Sequence, residues 1–549
     1  MYKSYGFVIK NVFLSLCYLI IGFQASATHL PVENEGLLQS ATHWRSKWNV
    51  AIIGAGAAGS STAYHLRQFA NKAGLDINIT VFEKNNYIGG RVATAYVYDD
   101  IFQPTELGST LFVEANSILM NATNKFNLAL GSIADDDSFG VWNGHDIVFV
   151  QESDTSPSWD RIKLILKYGL APLKTENLKN KILGQFQKLY EYPFFPFKSL
   201  TSGVKDIGLS SITNITGSEL LEKNDIQGPY IEEIIQPSAR VAFGQSPHKM
   251  HGLQTLVSMA VEGAISIIGG NHKIFQEMIK TSNSSVFLNT SVKNISTSNF
   301  EKGYKISWLE NVKKSNESNI LSELFDSVVL TTPIQFSNIS LNDVTLKRKP
   351  KQISYLPVHV TLFTSPHSLN PAYFNIPLSK SVPATIITTS QPKSSIIPQN
   401  LENESASTIK KTLDFISITK VRKTFNPASR QLEHLYKIFS LEAVNAKLLS
   451  NLLNTTMATN FTTSPDTISW YYPYVWENAY PYAYPCDQFD ESELAPSFWY
   501  TSGIESFVST METSALMGMN VARLIIDGYQ QTINTHKESF VYQPAQFGI

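Results

Sequence analysis

Three glycines and one carboxylate carry the first chemical signal in the sequence. Gly54, Gly56 and Gly59 stand in the run Gly54-Ala55-Gly56-Ala57-Ala58-Gly59. The first position permits a tight turn, the second leaves the backbone bare against a pyrophosphate, and the third lets a helix pack closely on a strand. The N-terminus of the following helix offers free N–H groups and a positive dipole end to phosphates. The apolar, β-branched segment Trp48 to Ile53 precedes the run, and Ala63, Leu66, Phe69 and Ala70 follow it at helical spacing. Ile77 to Phe82 is a second β-branched run, closed by Glu83. A carboxylate at that strand end can accept hydrogen bonds from both hydroxyls of a ribose and repels a 2′-phosphate. Strand, glycine turn, helix and strand form one βαβ unit of about 35 residues, and the combination predicts dinucleotide binding.

A second set of residues selects the dinucleotide. Glu83-Lys84 leads into Gly89-Gly90-Arg91, which resembles the pattern of flavoprotein oxidases, where a second glycine pair and an arginine lie over the phosphates of FAD. A pyridine dinucleotide has no need of that pair. Glu106-Leu107-Gly108-Ser109 fits a segment passing near a flavin. Far along the chain, Gly503-Ile504-Glu505 and Met511-Glu512-Thr513-Ser514-Ala515 read as a strand end and a helix N-terminus closing on the cofactor. The helix dipole there would stabilise negative charge on a reduced flavin. FAD is the expected cofactor. Its expected contacts are Gly54, Gly56, Gly59, Glu83, Lys84, Gly90, Arg91, Gly108, Ser109, Val292, Gly503, Glu505, Met511 and Thr513.

The tail, Phe498-Trp499-Tyr500-Thr501-Ser502-Gly503-Ile504-Glu505 with Ser509 to Ala515, resembles the C-terminal signature of the prenylcysteine oxidase (prenylcysteine lyase) family. Ile268-Gly269-Gly270-Asn271, Phe325 to Pro333 and Tyr436-Lys437-Ile438-Phe439-Ser440 are similar to further segments of that family, in the same order, over about residues 48–530. The chain departs from it in a longer insertion near 380–411 and in the bulkier Ser506-Phe507-Val508. The resemblance implies oxidative cleavage of a prenylated cysteine thioether during prenylated-protein degradation. A hydride leaves the carbon beside sulfur for the flavin, water adds, and cysteine and an isoprenoid aldehyde separate. Dioxygen accepts the electrons and becomes hydrogen peroxide. Sulfur assists hydride loss, so no catalytic side chain is singled out. A flavin amine or polyamine oxidase shares the fold and the hydride chemistry. A secreted, non-catalytic lipid carrier with the same fold is the other reading.

Other chemistries are poorly served. The chain contains no H-E-x-x-H, C-x-x-C, Walker A or G-x-S-x-G motif. His248 and His251 are close in sequence but lack a carboxylate cluster, so no metal site is expected. Cys486 reads as a buried free thiol rather than a flavin tether. The aromatic run Trp470, Tyr471, Tyr472, Tyr474, Trp476, Tyr480, Tyr482 and Tyr484 suits an isoprenoid channel and packed core equally well.

These residues require an α/β scaffold: a doubly wound, Rossmann-type FAD domain of amine-oxidase-like architecture with an interleaved substrate domain. The FAD domain is expected from 48–115, 250–340 and 490–530, and the substrate domain from 116–249 and 341–489. Helical periodicity marks 157–200. Residues 254–280 read as two helices broken at Gly269-Gly270, Val286 to Trp308 as a hairpin, and Phe325 to Thr332 as a buried strand. The Ser/Thr/Pro/Asn-rich stretch 380–411 reads as a surface loop.

Composition excludes little else. With 44 basic and 46 acidic residues, the formal charge of −2 gives no electrostatic footprint for nucleic acid. The expected partners are instead a small prenylcysteine and O₂. Residues 1–27 read as a signal peptide: Lys3 and Lys10, an apolar run from Val12 to Phe23, and the small-x-small site Ala25-Ser26-Ala27. The run is shorter than the roughly 20 residues a transmembrane anchor needs. Cleavage removes Cys17 and leaves Cys486 alone, so no intrachain disulfide is expected. Sequons at Asn121, Asn214, Asn283, Asn289, Asn294, Asn316, Asn338, Asn403, Asn454 and Asn460 fit a secretory route, ending in a lysosome or vacuole or outside the cell. Asn78 also heads a sequon, but its place in a predicted buried strand argues against modification.

Overall fold

The computed structural model describes residues 47–152, 157–298, 303–310, 319–389, 413–458, 463–464 and 466–541. The predicted signal peptide, the polar stretch after it, Asn316, Asn403, Asn460 and most of the 380–411 insertion lie outside the described residues.

Two sheets organise the chain. The first has six strands, in the order Ser285–Phe287, β2 (Ile77–Phe82), β1 (Trp48–Ile53), Ser327–Leu330, Phe498–Tyr500 and Glu493–Ala495. All pairings are parallel except the last. Parallel strands covered on both faces are continuously apolar, and β1 shows why. Val50 and Ile52 enter one core with Val81 and Val329, beneath α1 (Ala57–Ala73), the helix His272–Thr281 and the helix Met511–Val541. Ala51 and Ile53 enter the other core with Phe82, Leu330 and Phe498. That core is closed by an antiparallel sheet of Asn319–Phe325, Tyr304–Glu310 and Thr290–Thr297, edged by Ser340–Asn342. Helices, parallel sheet and antiparallel sheet therefore form three layers. The fold is α/β, of the doubly wound Rossmann type.

The second sheet has seven strands: Trp470–Pro481, Tyr355–Ser365, Leu432–Ser440, Ser417–Phe425, Thr385–Thr388, Phe139–Trp142 and Ile147–Gln151. Phe363, Tyr436, Ile438 and Trp142 on one face pack with Leu448, Leu449 and Leu452 of the helix Ala446–Leu453. Val358, Val360 and Leu362 on the other face meet Ala95 and Leu107, from a hairpin of β3 (Thr94–Tyr96) and β4 (Pro104–Glu106) and the residue after it. That hairpin joins the two sheets.

Two expectations are corrected. Residues 254–280 are not two helices: between the helix Gly252–Val257 and the helix His272–Thr281 lies the strand Ala264–Ile267, which pairs with Phe112–Val113 and Leu130–Gly131. The 380–411 stretch does not begin as a loop, because Thr385–Thr388 is an interior strand with Ile386 and Ile387 buried. The stretch 116–249 also contributes to the helical layer. Ile118, Leu119, Ile182, Phe186 and Leu200 all sit in the core under the parallel sheet.

Candidate functional site

The glycine turn at the carboxyl end of β1 is built from both sides. Gly54 has φ of +107°, a conformation that favours glycine, and its N–H donates to Phe82 O at 2.8 Å. Thr331, at the end of the neighbouring strand, donates its hydroxyl to Ile53 O at 2.8 Å and Gly54 O at 3.0 Å. A methyl group on Gly59 would lie 2.0 Å from Gly54 O, so strand and helix touch through bare backbone. Gly56 differs: a Cβ there would meet nothing nearer than Gly90 Cα at 3.9 Å. Gly56 is also the N-cap of α1 and supplies no side-chain cap. The free N–H groups of α1 thus face space that a side chain at Gly56 would invade, a cradle that fits a pyrophosphate.

The second glycine pair closes over this turn. Gly89 N–H donates to Ala55 O at 2.9 Å, Tyr87 donates its hydroxyl to Gly90 O at 3.1 Å, and Gly90 has φ of +61°. Glu83 is buried, and it accepts from Ala55 N–H through Oε2 and from Asn85 N–H through Oε1, both at 2.8 Å. Each oxygen already serves the backbone and has one lone pair left, so Glu83 shapes the turn and could still accept a bond from a ligand. Lys84 is exposed. Thr290 N–H donates to Glu83 O at 2.8 Å, which brings its strand beside the carboxylate, while the Val292 side chain lies in the second core.

Arg91 and the tail meet. Arg91 Nη2 stands 2.7 Å from Glu505 Oε1, and Nη1 donates to Ala479 O at 3.2 Å. Glu505 is buried and takes a second hydrogen bond from the Tyr355 hydroxyl at 3.0 Å. Burial opposes the charge on Arg91, but Glu505 outweighs it and raises the guanidinium above its ordinary value. Glu505 therefore acts through Arg91, with both its oxygens engaged. Gly503 sits where a Cβ would come within 3.0 Å of Asp490 Cβ. At Gly108 a Cβ would lie 3.1 Å from Trp476 Nε1 and 3.2 Å from Arg91 O. Ser109 is exposed with φ of +51°, and its carbonyl accepts from Asn271 Nδ2 at 2.8 Å. Met511 opens the helix Met511–Val541. Thr513 fixes its first turn by donating to Val508 O at 2.7 Å and accepting from Thr510 N–H at 3.0 Å. Glu512 accepts from Ile118 and Leu119 N–H at 3.0 and 3.1 Å, and burial pushes its carboxyl up to about 7.

Gly54, Gly56, Gly59, Glu83, Gly90, Arg91, Gly108 and Glu505 thus share one region through direct contacts. Sequence reasoning gave no site role to Thr331, Tyr87 or Tyr355 and placed Trp476 only within the aromatic run. Thr331 ends a run that was recognised as a strand. The other three carry no local signal, because their roles exist only once distant segments pair.

Outside this region, His248 bonds Ser218 at the surface, whereas His251 is buried and accepts from Gln254 N–H at 3.3 Å as a helix cap. Among the described residues no His, Cys, Asp and Glu cluster is spaced to hold a metal ion. Cys486 is half-buried and free, and burial raises its thiol. The aromatic run from Trp470 to Tyr480 lies on a strand of the second sheet, and Tyr482 and Tyr484 follow it. Trp470, Tyr472, Tyr474, Trp476 and Tyr480 pack half-buried against the Val358, Val360 and Leu362 face. Asn121, Asn214, Asn283, Asn289, Asn338 and Asn454 are exposed, whereas Asn294 is half-buried, its Oδ1 without a partner. Asn78 lies in β2 as expected, but its side chain points outward and donates to Asn49 Oδ1 at 2.9 Å. No helix among the described residues is long and apolar enough to cross a membrane.

The fold has solved counterparts. A putrescine oxidase bound to putrescine superposes with a TM-score of 0.55 at 15% identity, covering 88% of this chain and 99% of its own. Cyclohexylamine oxidase from Brevibacterium oxydans gives 0.52 at 14%, with the same coverage. Among curated sequences, farnesylcysteine lyase of Arabidopsis thaliana is 28% identical over 87% of this chain and 88% of its own length. Prenylcysteine oxidase 1 of Bos taurus is 27% identical over 89% of each. A Rossmann-like NAD(P)-binding domain matches residues 52–122. With the cradle around Gly56 and Arg91, and with oxidases as relatives, the cofactor of this site is FAD. The remaining comparison spans residues 150–538, which hold most of the second sheet and the closing tail, and over that length the chain belongs to the prenylcysteine lyase family.

Proposed function

We propose that the protein cleaves the thioether of prenylated cysteine oxidatively. The family match over residues 150–538 carries this reading, because that span includes the sheet facing the hairpin of the cofactor region. Thioether, water and dioxygen give cysteine, an isoprenoid aldehyde and hydrogen peroxide. The C–S bond breaks, the carbon is oxidised, and dioxygen is reduced. FAD, when bound, accepts two electrons from the substrate and hands them to dioxygen.

The chain's own residues hold, orient and exclude. Gly54, Gly56 and Gly59 keep the turn open to the pyrophosphate, with Glu83 at the ribose side. Arg91, paired with Glu505, which the Tyr355 hydroxyl holds in place, balances phosphate charge. The apolar face of Val358, Val360 and Leu362, with its half-buried aromatic residues, suits an isoprenoid chain. Each buried CH₂ contributes about 0.8 kcal/mol, so a prenyl tail supplies ample energy to position the carbon beside sulfur. No strong base is needed at that carbon. We further propose a secretory route to a lysosome or vacuole, supported by the features of residues 1–27 and the exposed sequons.

Purified protein loaded with FAD is incubated with farnesylcysteine and, separately, with simple amines. Peroxide and prenyl aldehyde in equal amounts from farnesylcysteine are expected. Peroxide from amines alone transfers the assignment to an amine oxidase, a reading that the shared fold keeps open. No peroxide from either indicates a carrier.

A further inference from the structure

A cleft of about 390 Å³ opens between the β3–β4 hairpin, the segment Ser266 to Gly270 and the strands carrying Arg422 and Lys437. Its floor is charged and incompletely partnered. Lys437 is buried, and its ammonium donates to Thr110 Oγ1 at 3.0 Å and to Glu106 O at 3.4 Å, fewer bonds than its three N–H groups can make. Arg422 Nη2, in the same wall, is buried with no partner. Glu106 is buried: Oε1 accepts from Asn271 N–H at 2.5 Å, while Oε2 has no partner. Burial pushes the Glu106 carboxyl up and the Lys437 ammonium down. Glu106 and Lys437 offset one another electrostatically and the centre of the Phe439 ring lies 5.3 Å from the ammonium, but buried charged atoms left short of hydrogen bonds are costly, which favours a ligand that completes them.

The rim has the opposite character. Ile101, Phe102 and Ile268 line the same cleft and are 68%, 86% and 61% exposed. Two under-bonded cationic groups and one unpartnered carboxylate oxygen, all buried along the cleft, match an α-amino acid zwitterion, and the apolar rim matches a hydrophobic substituent on it. An inorganic anion would use the cations but neither Glu106 nor the rim. The cleft also adjoins the cofactor region. Glu106 and Thr110 bracket Leu107-Gly108-Ser109, and Gly108 sits against Arg91 O.

We infer that this cleft binds the amino-acid head of an S-alkylated cysteine, its carboxylate on Lys437 and Arg422 and its ammonium on Glu106. The assignment to the substrate rests on the proposed thioether reaction; the binding itself can be measured without turnover. S-dodecyl-L-cysteine lacks the allylic carbon of a prenyl group and serves as the probe, with its methyl ester and N-acetyl derivative. Each is titrated calorimetrically into the full, FAD-loaded protein. Blocking either end of the head is expected to raise Kd about tenfold or more. Arg422→Gln should weaken the free acid and leave the ester unchanged, and Lys437→Met should do the same. Glu106→Gln should weaken the free amine and leave the N-acetyl compound unchanged. Arg422 is half-buried, so its variant keeps the test valid if Lys437→Met does not fold, and retained flavin absorbance reports folding. Equal Kd for free and blocked probes, equal weakening of all three by Arg422→Gln, or no binding of any probe overturns the inference. Failure of farnesylcysteine oxidation with head-selective binding intact overturns the reaction and leaves the site standing.

Discussion

At Gly56 the surrounding protein would accept a side chain, and only a ligand forbids one. At Gly59 the protein itself forbids it, since the added carbon would sit 2.0 Å from Gly54 O. The two glycines of one motif should therefore fail differently. Gly56→Val should fold, melt near FAD-free wild type and purify colourless, while Gly59→Val should not accumulate as folded protein; flavin absorbance and thermal melting separate the cases. Glu512 supports a pH prediction. Burial raises its carboxyl from 4.5 to about 7 in the folded state. A carboxyl raised by folding binds its proton more tightly in the native state, so the stability it confers is complete below its unfolded value and is lost as pH rises through the folded one. Between pH 4.5 and 7.5 the wild type should lose stability relative to Glu512→Gln, on the order of 2 kcal/mol. Denaturant melts of both proteins at the two pH values measure the difference. A wild type that gains on the variant as pH rises would contradict it.

At the scale of elements, the cofactor end of α1 depends on a neighbour more than 400 residues away. The helix Met511–Val541 approaches α1 so closely that a Cβ on Gly518 would lie 2.3 Å from Ala58 O and 2.9 Å from Thr62 N. Ser61 donates its hydroxyl to Ala515 O at 2.6 Å. Gly518→Leu should force the helices apart, lowering stability by about 1–3 kcal/mol or more and releasing FAD, although Gly518 touches no cofactor atom in the proposed site. Thermal melts and flavin retention on gel filtration test this. Neither this contact nor the seating of Glu505 on Arg91 and Tyr355 could be read from the sequence, because each depends on distant segments meeting. The βαβ unit was legible, since a parallel strand buried on both faces writes its burial as an unbroken β-branched run. The strand Thr385–Thr388 was not: four residues are too few to show a period, and a long polar stretch follows them. The strand Ala264–Ile267 hid between two helices for the same reason. Glu83 was legible as the carboxylate closing the second strand, but its bonds to Ala55 and Asn85 need the folded turn.

For the whole molecule, charge balance and fold leave the route to its compartment as the least constrained property, and the distribution of sequons supplies a test. Glycan transfer needs an asparagine whose amide can be reached. Asn121, Asn214, Asn283, Asn289, Asn338 and Asn454 meet that condition, and four of them sit in the left-handed backbone region that marks tight turns: Asn283, Asn289, Asn338 and Asn454. Asn294 is less accessible than these. It stands at a strand irregularity beside Val292, half-buried, with its amide oxygen enclosed. Asn78 is exposed, but its amide nitrogen is engaged with Asn49 in the middle of a paired strand. If the chain enters the secretory route through residues 1–27, the mature protein should begin near Thr28. Its glycans should map to the exposed turn positions, with Asn294 bare. N-terminal sequencing and peptide mapping before and after glycosidase treatment decide both points. A glycan on Asn294 would mean that transfer precedes formation of the strand Thr290–Thr297, whereas an intact Met1 with no glycosidase-sensitive mass would place the protein outside the secretory route altogether.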